Sequence, residues 1–157
     1  MSISLSALAG ARAGQDAAPP VPHPFAVHER RDGAVDVLAL AGELDAFSAP
    51  RLREAIARAD RDVVLDLRQV GFVDSSGLGA ILGAARRLAT AGRRLSLVAG
   101  AGHVRDLLER TGLIGPLEVF ASLAGARAAH GAARAEPDRL RTGAGRASRT
   151  LIPHRAG

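Results

Sequence analysis

The six residues Asp74-Ser75-Ser76-Gly77-Leu78-Gly79 place two adjacent hydroxyls behind a carboxylate and ahead of two glycines. Such hydroxyls can serve as nucleophiles, accept a phosphoryl group, or cap a helix. Upstream, Val63-Val64-Leu65-Asp66-Leu67 is an apolar, β-branched run of strand length. Downstream, Leu78, Ile81, Leu82, Ala85, Leu88 and Ala89 recur three and four apart, which predicts a helix with Leu82 on its inner face. The motif is therefore expected where a buried strand passes through a short loop into a first helical turn. That turn has N–H groups without intrahelical partners and the positive end of the helix dipole. A phosphate on either serine would meet free donors there without rebuilding the fold.

Simple capping is the plainer reading for a lone serine or aspartate. Gly77, Gly79 and Gly83, however, each cost a helix about 1 kcal/mol relative to Ala. Close approach, to the sheet or to a visiting partner, is the expected return.

Other chemistries fit the chain less well. The nucleophile elbow of hydrolases needs Gly two residues before the serine, where Ser75 has Val73 and Ser76 has Asp74. It also needs a downstream acid and then a histidine. His103 reads as a solvated loop residue, His28 lies on a strand, and His130 and His154 fall in the tail. Gly77-Leu78-Gly79 has neither the Walker nor the dinucleotide spacing, and the chain has no Lys to reach a phosphate. Asp45, Asp66 and Asp74 could converge near strand ends, but scattered carboxylates usually form caps and turns. Asp45 alone suits the turn into a helix beginning near Ser48. With no Cys, disulfides and Cys-ligated metals are excluded. No catalytic residue, metal ligand or cofactor is assigned.

The elements that must position the motif can be read in order. Residues 1–24, rich in Ala, Ser, Gly and Pro, read as a flexible leader. Phe25–Glu29 reads as a strand, Asp32-Gly33 as a hairpin turn, and Val35–Leu40 as a returning strand ending near Gly42. Ser48 is the expected N-cap of a helix with Pro50 in its first turn. Leu52, Ala55, Ile56 and Ala59 form the apolar face of that helix, while Arg51, Arg53, Glu54 and Arg58 point outward. After the central strand and motif helix, Gly92 ends the helix and Leu95–Val98 forms another strand. A helix carrying Val104, Leu107 and Leu108 stops at Gly112 in a Schellman-type end. Leu117–Phe120 is extended, and Ser122 caps a last helix to about Ala129. The fold class is α/β: one domain over 25–129 with a mixed, mostly parallel sheet and helices packed mainly on one face. Residues 130–157 read as a basic, disordered tail.

Charge divides along the same lines. All 21 basic residues are Arg, a bias that together with the abundant Ala and Gly points to coding composition rather than a selected Arg function. Residues 25–129 carry 14 Arg against 13 acids, or +1, and residues 130–157 carry six Arg against two acids, or +4. The domain thus offers no nucleic-acid face. The sequence shows no signal peptide and no apolar run of membrane-spanning length, so a cytoplasmic protein is expected.

Taken together, Gly42-Glu43-Leu44-Asp45, Val63–Leu67 and Phe72-Val73-Asp74-Ser75-Ser76-Gly77-Leu78-Gly79 resemble the STAS domain of bacterial anti-sigma factor antagonists in order and separation. The resemblance covers about residues 25–129. It implies an antagonist that binds an anti-sigma factor, itself a serine kinase, and so frees a sigma factor. Ser75 matches the family's phosphorylated serine, with Ser76 the second choice; a serine phosphatase would restore the free form. Asp45, Asp74, Ser75, Ser76, Gly77 and Leu78 would form the partner-binding switch loop. The alternative is a non-switching STAS scaffold, as in stress-signalling assemblies or lipid-transport complexes.

Overall fold

A computed structural model of the chain describes residues 24–141, with side chains described as far as Ala135. Its elements are β1 (Ala26–Asp32), β2 (Val35–Leu44), α1 (Ala49–Arg58), β3 (Asp62–Val73), α2 (Ser75–Thr90), β4 (Leu95–Val98), α3 (His103–Arg110), β5 (Glu118–Phe120) and α4 (Leu123–Arg141). The five strands lie in sequence order in one mixed sheet, with β1 antiparallel to β2 and the later neighbours parallel. Parallel pairing follows from the helix between each later pair, since only a crossover returns the chain to the same edge.

Alternation along the strands assigns the two faces. Leu38, Leu40, Val63, Leu65, Leu67, Leu95 and Leu97 join the larger core, where they meet Leu52 and Ile56 of α1, Ile81 and Leu88 of α2, and Val104 and Leu108 of α3. Val35, Val37, Val64 and Val98 point the other way and bury Ala126 of α4, with Phe120 and Leu123 alongside. Three helices thus cover one face and α4 the other. The expected faces of α1 hold: Leu52, Ala55, Ile56 and Ala59 are buried, and the charged residues are exposed. The Schellman end expected at Gly112 forms, and the motif helix, expected to stop at Gly92, ends in the same way. Arg93 N–H reaches Leu88 O at 2.8 Å and Leu113 N–H reaches Leu108 O at 2.9 Å, with Gly92 and Gly112 each at φ 69°.

The last helix differs from expectation. It does not stop near Ala129 but continues to Arg141, and His130, assigned by sequence to the tail, is buried. The reason is spacing: Leu123, Ala126 and His130 stand on one helical face, three and then four apart, so the first turns of α4 lie flat on the sheet and carry His130 inside. Residues 1–23 of the expected leader and 142–157 of the expected tail lie outside the described residues. Among the described residues no helix is long and apolar enough to cross a membrane.

Candidate functional site

No short loop precedes the motif helix. β3 runs to Val73 and α2 begins at Ser75, so Asp74 alone joins them. Beyond Asp66, β3 pairs only with β2, which lets polar Arg68 and Gln69 remain in the strand while facing water. Asp74 is extended (φ −98°, ψ −177°), and its Oδ1 accepts from Gly77 N–H at 2.9 Å. The aspartate is therefore the N-cap. Ser75 and Ser76 occupy the first two helical positions, where their N–H groups have no intrahelical acceptor. Ser75 is exposed and Ser76 half-buried.

The glycines around them have distinct reasons. A Cβ on Gly77 would lie 2.4 Å from Leu44 O and 2.8 Å from Leu44 Cγ, whereas one on Gly79 would meet nothing within 4 Å. Gly77 is buried because α2 enters against the end of β2; Gly79 faces open space, as a surface for a visitor would. The same entry sets the phase of the helix. Gly77, Ala80, Ile81, Ala84 and Leu88 are buried, while Leu78 and Leu82 are half-buried and Ala89 is exposed. Leu82 is thus not on the innermost face, because small residues allow α2 to approach the sheet along a different stripe.

Asp45 follows the end of β2, and Asp74 N–H donates to Leu44 O at 3.1 Å, which ties the joint before α2 to the end of β2 beside Asp45. Asp45 Oδ1 accepts from Phe47 N–H and Ser48 N–H, both at 2.9 Å. Ser48 Oγ accepts Asp45 N–H at 2.8 Å and donates to Glu43 O at 2.8 Å. Ser48 precedes α1 as expected but makes no side-chain cap; the fixing carboxylate is Asp45. Those donors, the Ser48 N–H foremost, hold the Asp45 carboxyl below its ordinary range despite an opposing effect of desolvation.

The structure does not gather the three aspartates. Asp45 and Asp74 share one end of the sheet, but Asp66 lies back along β3 and is paired with Arg68 at 2.7 and 2.9 Å. That pairing holds its carboxyl low. Among the described residues no group of three His, Cys, Asp or Glu side chains could hold a metal.

One arrangement escaped the sequence reading. On the α4 face, Ser96 Oγ is 2.8 Å from His130 Nε2, and His130 Nδ1 is 3.2 Å from Asp62 Oδ2. Ser96 also donates to Glu118 at 2.9 Å, and Arg94 N–H donates to Asp62 Oδ1 at 3.0 Å. Serine, histidine and aspartate stand in the order of a hydrolytic triad. Ser96 and His130 are, however, 0% and 1% exposed, so no acyl group can reach the hydroxyl in this conformation. The group fastens α4 to the sheet. Its signal was present: Ser96 interrupts an apolar strand, and His130 continues the Leu123, Ala126 spacing.

A family model described as the Mlab STAS domain matches residues 27–120. The chain belongs to the STAS domain family. Over 97 residues it is 34% identical to the anti-sigma-B factor antagonist of Listeria monocytogenes, covering 59% of this chain and 84% of that one. In three dimensions it resembles an anti-sigma factor antagonist from Mycobacterium paratuberculosis (TM-score 0.62, 25% identity, 69% of this chain and 97% of that one). It also resembles the antagonist SpoIIAA in its unphosphorylated form (TM-score 0.53, 27% identity, 75% and 96%). SpoIIAA of Bacillus in the phosphorylated form aligns as well (TM-score 0.51, 26% identity, 74% and 98%). His130 lies beyond the residues that the family model matches.

Proposed function

We propose that this chain is an anti-sigma factor antagonist, that its partner is an anti-sigma factor with serine kinase activity, and that Ser75 is the phosphorylated switch. The observation that carries this reading is the division of labour in the first turn of α2. Asp74 caps the helix, leaving the Ser75 hydroxyl exposed and outside the cap. Relatives named as antagonists, one of them solved in both unphosphorylated and phosphorylated forms, support it.

The proposed switch follows from charge and hydration. Phosphoserine adds roughly −1.5 to −2 charges at neutral pH. The helix N-terminus tolerates that charge, so the fold survives. A partner surface shaped for a neutral hydroxyl does not, since it would have to desolvate a dianion. A serine phosphatase then resets the protein. On this reading the chain is cytoplasmic, binds no nucleic acid, is not itself an enzyme, and holds its function in the domain that ends with α4.

Ser75→Ala should abolish phosphate incorporation from the anti-sigma kinase while keeping binding. Ser75→Asp should weaken binding by about 1–3 kcal/mol where the hydroxyl meets a desolvated surface. Radiolabel transfer and calorimetric titration of wild type and both variants, against the anti-sigma factors of the source genome, test this. Phosphorylation of the Ala variant would move the switch to Ser76. Equal binding by wild type and the Asp variant would favour the non-switching scaffold. The match to the family model that carries the Mlab description, rather than an antagonist's, is the observation on that side.

A further inference from the structure

Phe47 is 92% exposed, by far the most exposed large apolar side chain among the described residues; Phe72, at 44%, comes next. A single exposed apolar side chain is ordinary on a protein surface; what sets Phe47 apart is that its backbone is fixed. Asp45 Oδ1 holds the Phe47 and Ser48 N–H groups, and the Ser48 hydroxyl ties the loop back to Glu43 O. Ala49 N–H closes the turn onto Asp45 O at 2.9 Å. The ring is thus held out on a backbone whose ordering cost was met on folding, the condition under which an exposed aromatic contributes most to binding.

The surroundings state the partner's chemistry. Glu43, Asp45 and Asp74 border this loop and the adjoining motif, and none forms an ion pair among the described residues. Arg51, the cation lining the same hollow, is already engaged: its Nη1 donates to Phe25 O at 3.0 Å and its guanidinium lies 5.9 Å from the centre of the Phe25 ring. An apolar knob is left within a rim of unneutralised carboxylates.

Resting on the function proposed above, we infer that Phe47 is the anchor by which the anti-sigma factor docks, seated in an apolar cup rimmed by Arg or Lys. The cup supplies burial for the ring, and the basic rim complements Glu43, Asp45 and Asp74 and speeds encounter. A phosphate at Ser75 is not repelled by such a rim. It dismisses the partner through bulk and hydration at the helix N-terminus, so anchor and switch are separate parts of one surface.

The test uses the full chain with the purified anti-sigma factors of the source genome, by surface-bound kinetics at low and high salt. Phe47→Ala should weaken binding about tenfold or more, mainly through faster dissociation, with the melting temperature kept. Glu43→Gln should slow association at low salt and leave it unchanged at high salt. Binding of Phe47→Ala within about twofold of wild type would overturn the anchor while leaving the proposed function standing. Faster association of Glu43→Gln would overturn the basic rim. A Phe47-dependent dimer in sedimentation would make a second copy the occupant and overturn the proposal. Failure of every anti-sigma factor to bind wild type would remove the functional reading and the anchor with it.

Discussion

Ser75 and Ser96 are two serines with carboxylates close by, on opposite sides of the same sheet, and they have opposite fates. Ser75 opens α2 with its hydroxyl in water, because Asp74 has taken the cap. Ser96 has the histidine and carboxylates from which nucleophiles are made, yet it is sealed beneath α4 and bonded on two sides. Residue type gives the second serine the richer chemistry; access gives function to the first. A hydroxyl with no partner is available to an enzyme that visits, whereas a fully satisfied one rigidifies the core that contains it.

The contrast can be broken by substitution. The largest effect is expected at His130. His130→Ala leaves a cavity and removes one of the two partners of each of Asp62 and Ser96, and should cost about 2–5 kcal/mol by chemical denaturation. Amide exchange should localise the loosening to α4. A loss below about 0.5 kcal/mol would mean that the Ser96 group does not fasten the helix.

Next come the glycines on the switch side. Gly77→Ala drives a methyl into Leu44 O and should destabilise by about 1–3 kcal/mol. Gly79→Ala, facing open space, should stabilise by up to about 1 kcal/mol. Thermal melts of the pair check whether close approach or mere helix propensity governs the first turn.

Acid should act mostly on the closed side. Burial pushes the Asp62 carboxyl up, but the Arg94 N–H and the His130 contact outweigh it and hold it below its ordinary value. Burial likewise raises Glu118, while the bonds from Arg94 and Ser96 outweigh it and hold this carboxyl below its ordinary value too. The folded chain therefore binds fewer protons here than the unfolded chain. The stability involved is present above the ordinary carboxylate range and is lost as the pH falls through it. Denaturation curves between neutral pH and roughly pH 3 should show this loss, and it should shrink in His130→Ala. The smallest effect belongs to the open serine: Ser75→Ala should change folding stability by no more than about 0.5 kcal/mol.

How far the sequence discloses these two sites differs in the same way. The motif, its hydroxyls and the strand before it are legible, because Val63–Leu67 is apolar and the serines stand beside glycines. The phase of α2 is not. Leucines flank the helix on more than one side, and the residues that meet the sheet, Gly77, Ala80 and Ala84, are too small to stand out in a hydrophobic count. The missing loop before α2 is hidden by Arg68 and Gln69, which read as the end of a strand but lie within β3. The α4 fastening is hidden because one histidine in an Ala-rich run gives no periodic signal unless its polar partners, 34 and 68 residues distant, are known. Phe47 carries no signal either: a single aromatic residue between strand and helix has no period from which its exposure could be read.

The single-residue joint at Asp74 has an evolutionary corollary. Adding or deleting one residue between Val73 and Ser75 would turn α2 by about 100°, taking Ile81 out of the core and carrying the switch serine to another bearing. The joint should thus be closed to insertions, and descendants of this chain should vary in length elsewhere. A glycine inserted after Asp74, compared with one inserted in the exposed turn at Gly33, would measure that constraint as the difference between a chain that does not fold and one that does.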